Sequence, residues 1–585
     1  METSLYGKEL WNETAYFLGP KSENGSWVRA EFQAIIDQWF DWRRALFADD
    51  PSPLPPELRR RHDFLAEREI LGQKVAELCD RMTGEIPKYT PRYIGHMVSE
   101  TSVPALLGHF ATLLHNPNNT SRDVARVSGA IEDEAISMLA EMIGFDVNEA
   151  QGHFTSGGTI ANFESVWRAR YRMDHFLALA LVISETSGAQ MDAFAAGHMG
   201  WTRYRELIEQ YGFDDNVLKA ASAVVGNPFA AAERITAATG QPWRGPVLLV
   251  PGNKHFSWLK AANVFGLGEE AFWPVALDSK GRLSVPALEQ AIAQARADGR
   301  PVLAVVTVAG TTEAGDIDPV DRVCDRLDAL RRDGIDVWHH VDAAWGGFLC
   351  SMLGGQAENV LDAGRRSALR AIRRANSVTL DPHKLGYVPY ACGAFLVRDR
   401  ENYANSLFAA PYIDRAAAND RWMMTLEGSR SGAGAAAVWL TGQTLTFKPD
   451  RFGDIMAGTI DSRRHFAAAL ADGVPMARLL EPADSNILCF SLARDSEALS
   501  ESNARTLEAF KGFAGDPEFS VSKTVLGREN YGELINAHLA GYGGKADAES
   551  LVLLRCVFMN PFWRNESVRS FLMPRFIARL IAHIN

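Results

Sequence analysis

The stretch SVTLDPHKLGYVPYACGAFLVRD, Ser377 to Asp399, places a lysine between two apolar runs of strand character. A lone lysine ordinarily sits in water on a protein's surface. Here the runs SVTLD and GAFLV read as neighbouring buried strands, so the link PHKLGYVPYAC falls at the sheet's edge and carries Lys384 with it. A desolvated ε-amine gives up its proton more readily and becomes a nucleophile that condenses with an aldehyde.

Four other segments offer the groups such an amine would need around it. In FTSGGTIANFESVWRARYRM, Gly157 and Gly158 permit a tight turn and Thr159 adds a hydroxyl; Ile160, Phe163, Val166, Trp167 and Arg170 then follow helical spacing. The unbonded N–H groups of a first helical turn make a seat for phosphate, although a plain Ser/Thr cap has the same look. In HHVDAAWGG, Asp342 ends an apolar run, and the alanines and glycines after it, Ala344 among them, clear space for something flat. A buried carboxylate needs a cation or strong hydrogen bonds, and a protonated ring nitrogen would serve; no clustered ligands favour a metal. In PGNKHFSWLKAANVFGLG, His255 follows the run VLLVP at a helix entry, where an imidazole either stacks on a heteroaromatic ring or simply caps the helix. In VAGTTEAGDIDPV, Gly310 allows a turn, and Thr311 and Thr312 bring hydroxyls to a strand end, or an ordinary loop. An amine for an aldehyde, a carboxylate for a pyridinium, an anion seat, a stacking imidazole and a hydroxyl together describe a pocket for pyridoxal phosphate.

The elements that must position these groups alternate. Short apolar runs (VLLVP, VLAVVTVAG, VWHHVDAA, SVTLD, GAFLVRD) are separated by amphipathic stretches such as VPALEQAIAQARADG and VDRVCDRLDALRRDG, each closed by a glycine. That alternation predicts an α/β fold with a mostly parallel sheet covered on both faces, whose ligands gather beyond the strands' carboxyl ends. Residues 1–120 read as an N-terminal helical arm interrupted by DDPSPLPPELRRR, residues 121–435 as the large cofactor-binding domain, and residues 436–585 as a smaller C-terminal α/β domain.

The chain of 585 residues has a net charge of −12, which disfavours nucleic acid and anionic membrane as partners while leaving room for a local basic pocket. The six cysteines lack metal-ligand spacing and read as buried thiols in a reducing compartment. With no leader-like start and no apolar run of membrane-spanning length, the expected location is the cytoplasm.

The segments TSGGTIAN, KHFSWLKAA, GTTEAGDIDP, HVDAAWGG and LDPHKLGYVPYACGA, in this order, resemble the pyridoxal-phosphate-dependent group II amino acid decarboxylases of the glutamate and aromatic type. The resemblance covers roughly residues 90–440. RYIGHMVSE, HNPNNTSRDVARVSGAIEDEAI and LRCVFMNPF point to bacterial tyrosine decarboxylases and to relatives acting on aspartate or glutamate. It implies a type I aminotransferase-like fold and a homodimer with a shared active site. Lys384 would carry the cofactor, Asp342 would pair with its ring nitrogen, and His255 would stack on the ring. Gly157, Gly158, Thr159 and His383 would hold the phosphate, with Ser429 reaching it from a second subunit. Thr312 would lie near the ring hydroxyl and Ala344 under the ring. Tyr412 would protonate the substrate carbon, and His96 would face the small-molecule substrate, an L-amino acid that is tyrosine or another aromatic one, or else aspartate or glutamate. The same motifs serve an aminotransferase, an aldolase-type lyase or an aldehyde synthase, and an idle regulatory relative would keep them too. Arg92, Arg430 and Arg555 are the arginines available to an acidic substrate; a phenol would need an apolar slot with one polar end.

Overall fold

A computed structural model describes residues 12–406 and 424–584. Its larger sheet has seven strands: β1 (Gln151–Thr155), β2 (Val247–Pro251), β3 (Phe272–Val275), β4 (Val302–Val308), β5 (His339–Asp342), β6 (Ser377–Leu380) and β7 (Gly393–Val397). They lie in the order β1-β7-β6-β5-β4-β2-β3. The run from β3 to β6 is parallel, and β7 is antiparallel to both its neighbours. Because β7 reverses and β1 reverses again, the start of β7 and the end of β1 share one edge with the carboxyl ends of β2, β4, β5 and β6.

The continuous apolar runs are strands because both faces of the sheet are covered. Residues alternate between the two faces, as the two-residue strand period requires. Leu396 packs with Val341, Leu380 and Phe348, whereas Phe395 and Val397 pack with Val166, Met173 and Leu177 of the helix Gly158–Ser187. The run VWHHVDAA shortens to β5, and the sequence pattern passes over β1 and β3. QGHFT lacks an apolar run, and FWPV carries a proline that only an edge strand accepts.

A second, antiparallel sheet has the order β10-β11-β9-β8, with β8 (Ala477–Leu479), β9 (Ile487–Leu492), β10 (Ser522–Gly527) and β11 (Ser550–Val557). Phe490 and Leu554 of this sheet pack against Phe466 and Phe576. Near the amino end, the helix His62–Met82 has no buried residue and exposes Leu65, Leu71, Val75, Leu78 and Met82.

The core also buries imidazoles. Desolvation lowers His153, His198 and His538 to about 4, and His339 and His340 to about 3. The unfolded chain takes up these protons near 6.5, so between that value and the folded ones it holds more protons than the native state. Each ring's contribution to stability therefore falls as pH drops through that window, by up to about 1.4 kcal/mol per pH unit, while the buried acids Glu100, Glu313 and Asp318, raised to about 7, contribute with the opposite sign. Followed by their own imidazole proton resonances, these rings should stay neutral in the folded protein down to about pH 5; a ring that charges near pH 6.5 while the protein remains folded would contradict its neutral burial.

Candidate active site

A cavity of about 360 Å³ opens at the shared sheet edge. Gly157, Gly158 and Thr159 reach it from the turn after β1, His255 from the turn after β2, and Thr312 from the loop after β4. Asp342 and Ala344 come from the end of β5, and His383 and Lys384 from the link after β6. Segments scattered over more than 200 residues meet there because their strands point the same way.

Asp342 is 4% exposed, and neutral donors fix its carboxylate. Its Oδ2 accepts from Asn162 Nδ2 at 2.8 Å and from the Trp258 indole at 3.1 Å. Asn162 also donates to Ser257 Oγ at 2.9 Å, and that hydroxyl lies 3.0 Å from His255 Nδ1. The Oδ1 of Asn162 takes the Thr379 hydroxyl at 2.8 Å. One network thus orients the carboxylate and the imidazole together. Burial lowers the pKa of His255, with Asp342 pulling the other way, and it also lowers that of His383.

The Lys384 ammonium lies 3.0 Å from Asp381 Oδ2, and its side chain is 19% exposed. Asp381 itself is buried; its Oδ1 has no partner, and its Oδ2 lies 3.6 Å from His383 Nε2. Asp381, Asn162, Ser257 and Trp258 were not singled out from sequence. Their only signal is adjacency to the motifs, because their role comes from bonds across the fold.

The residues present fit pyridoxal phosphate. The helix Gly158–Ser187 starts with no side chain bonding its first N–H groups, so these remain open to an anion. A Cβ at position 158 would come 2.8 Å from Asp381 Oδ2, which requires glycine there. Lys384 faces the same cavity as Asp342, as one ring between amine and carboxylate demands.

Other expected residues lie elsewhere. Ser429 is exposed and accepts a hydrogen bond from Asn118 at 3.1 Å, outside the cavity of its own chain. Tyr412 lies outside the described residues. His96 lines a side chamber of about 310 Å³ with Met97, Val98, Glu313, Tyr390 and Arg555, and Thr312 borders both spaces. The Tyr390 ring lies over His383 with centroids 4.1 Å apart. Of the three arginines, Arg430 is locked by Glu132 and by the carbonyls of Phe154 and Asn119, and Arg92 pairs with Glu518 at 2.9 Å. Arg430 also has its Nε buried without an acceptor, and of the three Arg555 is the one that lines the chamber beside the site, with Nε and Nη2 both unpaired.

Comparison with known proteins agrees with this geometry. The family model described as the pyridoxal-dependent decarboxylase conserved domain matches residues 238–448. The L-tyrosine decarboxylase of Enterococcus faecium is 27% identical, over 95% of this chain and 96% of that one, and that of Levilactobacillus brevis is 28% identical over 98% and 96%. The aspartate 1-decarboxylase of Aliivibrio fischeri is 28% identical over 64% of this chain and 62% of its own. The fold matches mouse CSAD (TM-score 0.61, 17% identity, 95% of this chain and 99% of that one). It also matches Catharanthus roseus tryptophan decarboxylase in complex with L-tryptophan (TM-score 0.60, 14% identity, 95% and 98%). Residues 238–448 carry that conserved domain, and the chain is related to the group II pyridoxal-phosphate-dependent amino acid decarboxylases.

Gly393 tests the seat. A Cβ there would lie 2.6 Å from the Gly157 backbone and from Thr155 Oγ1, so Gly393→Ala must push the turn after β1 out of place. Fluorescence titration of the apoprotein should show cofactor affinity reduced by about tenfold or more, the equivalent of about 1.4 kcal/mol. Unchanged affinity would show that this turn does not hold the phosphate.

Proposed function

We propose that this decarboxylase converts tyrosine or another aromatic L-amino acid to its amine and carbon dioxide, as a cytoplasmic homodimer with a shared active site. The observation that carries the reading is one cavity bringing Lys384 and Asp342 together beside a chamber with apolar walls and a polar end. Met97, Val98 and Tyr390 supply apolar wall, and Glu313, Arg555 and Lys523 supply the charged end, with His96, Thr312 and Thr524 completing the lining. The tyrosine decarboxylases that align with nearly the whole chain support the same substrate class.

Bound in the cavity, pyridoxal phosphate supplies an aldehyde for the substrate amine and a ring that accepts the electron pair left when carbon dioxide departs. Lys384 is the amine that holds it, released from Asp381. Gly157, Gly158, Thr159 and His383 bind the phosphate, and Ala344 leaves room beneath the ring. Asp342, held by Asn162 and Trp258, keeps a proton on the ring nitrogen through the reaction. Neutral His255 covers the ring and excludes water from that face, and Thr312 meets the ring hydroxyl. Tyr412 returns the proton to the substrate carbon, and His96 borders the side chain.

Ser429, exposed on one subunit, completes the phosphate seat of the other, and the bare apolar stripe of His62–Met82 packs against the partner. Free buried thiols at Cys324, Cys350, Cys392, Cys489 and Cys556 favour a reducing compartment. A second reading, decarboxylation of aspartate or glutamate, is favoured by the unpaired nitrogens of Arg555, which a side-chain carboxylate would satisfy.

A panel of amino acids assayed for amine and carbon dioxide should give the two products in equal amounts, with tyrosine foremost. An amino acid consumed without carbon dioxide would move the reaction to transamination or aldol cleavage. Borohydride reduction should fix the cofactor to the Lys384 peptide in the wild type and leave Lys384→Ala unlabelled. Asp342→Ala should bind cofactor poorly and lose turnover by at least about a hundredfold, roughly 2.7 kcal/mol of transition-state stabilisation; near-normal turnover would refute the pairing.

A further inference from the structure

The side chamber is lined by Arg555 and Glu313, which carry two buried donor nitrogens and one buried acceptor oxygen that nothing among the described residues satisfies. Arg555, on β11, is 4% exposed. Its Nη1 donates to Gly95 O at 3.4 Å and Ser522 Oγ at 3.3 Å, but Nε and Nη2 are buried without an acceptor. Glu313, in the loop after β4, has its Oε2 buried without a donor. Each side chain feels the other's charge, yet among the described residues no ion pair joins them. Burial pushes the Glu313 carboxyl up to about 7, and Arg555 and Lys254 offset that only in part.

Leaving a buried donor and a buried acceptor unmatched in one chamber is costly unless a ligand completes them. A hydroxyl group does so in one stroke, since it donates one hydrogen bond and accepts others. A carboxylate would satisfy Arg555 but would meet an ionised Glu313 as like charge. An unsubstituted phenyl ring would satisfy neither. The chamber's 310 Å³ and the walls of Met97, Val98 and Tyr390 take an aromatic ring, and Thr312, next to Glu313 in the chain, borders the cofactor cavity.

We infer that Glu313 determines substrate specificity by accepting the hydrogen bond of a phenolic hydroxyl, to which Arg555 donates from the other side. This rests on the aromatic reading and narrows it to hydroxylated rings. A site built to bond a hydroxyl rejects the analogue lacking it far more strongly than a merely apolar pocket would.

The test compares the holoenzyme with its Glu313→Leu and Glu313→Gln variants, reading kcat/KM for tyrosine and for phenylalanine. The wild type should prefer tyrosine by about a hundredfold or more. Glu313→Leu should collapse that ratio by about tenfold or more, and Glu313→Gln, which keeps an acceptor oxygen, should retain part of it. A second readout needs no turnover: calorimetry on the apoprotein should show tyramine binding about tenfold tighter than phenethylamine, a difference that Glu313→Leu abolishes. Should Glu313→Leu fail to fold, the wild-type ligand pair and Glu313→Gln decide the matter. Loss of both substrates in step, or an unchanged ratio, overturns the assignment while leaving the aromatic reading intact. A wild type that releases no amine from tyrosine overturns both, and that failure shows before any substitution is made.

Discussion

An anion withdrawn from water must be paid for somewhere, and the carboxylate of Asp342 at the end of β5 is where this structure meets that demand. It does so without a cation. Asn162 and Trp258 donate to it, and among the described residues no ion pair includes it. An arginine at that place would stabilise the carboxylate but also quench its charge. Neutral donors hold it rigidly and leave the charge to act on whatever cation enters the cavity. His255, linked into the same network through Ser257, is kept from charging by burial, so it does not compete for that role. The other carboxylate, Asp381, takes the opposite part and engages the Lys384 ammonium directly. Two buried acids a short distance apart are thus separated in function by their donors.

The sheet makes this division possible. Four parallel strands end at the same edge, and the reversal at β7 brings the Gly157–Gly158 turn to that edge from the other flank. The pairing Thr155 with Gly393 fixes how close the turn can come. A Cβ on Gly393 would come 2.6 Å from the Gly157 backbone, so glycine at position 393 lets the turn and the helix start that follows it lie this close to β7. The placing of this turn is therefore inherited from strand register.

This explains what could be read from the sequence. β2, β4, β5, β6 and β7 are legible because burial on both faces demands continuous apolar residues, and Lys384, Asp342 and His255 are legible because each stands at the end of such a run. β1 was not legible: His153 inside it is satisfied by Glu164 at 3.0 Å and Tyr403 at 2.8 Å, partners 11 and 250 residues away. Asn162 looked like one more residue in a helical repeat, yet it joins Asp342, Ser257 and Thr379. Local pattern reveals where a chain must be apolar and where it must turn. It carries no record of which polar side chains will meet once the strands are laid side by side.

Glu313 stands at the limit of that reasoning. The segment GTTEAGDIDP reads as a loop that offers hydroxyls, and nothing in the string distinguishes its glutamate from a solvated one. Folding places it between β9, whose Cys489 thiol donates to its backbone carbonyl at 3.5 Å, and the chamber that Arg555 enters from β11. The residues lining the Asp342 cavity come from the larger sheet and its loops, whereas the chamber beside it is also lined by Lys523, Thr524 and Arg555 of the smaller sheet. The chamber thus joins the two sheets: Glu313, after β4, and Tyr390, in the link that carries Lys384, share it with Lys523 and Thr524 of β10 and Arg555 of β11.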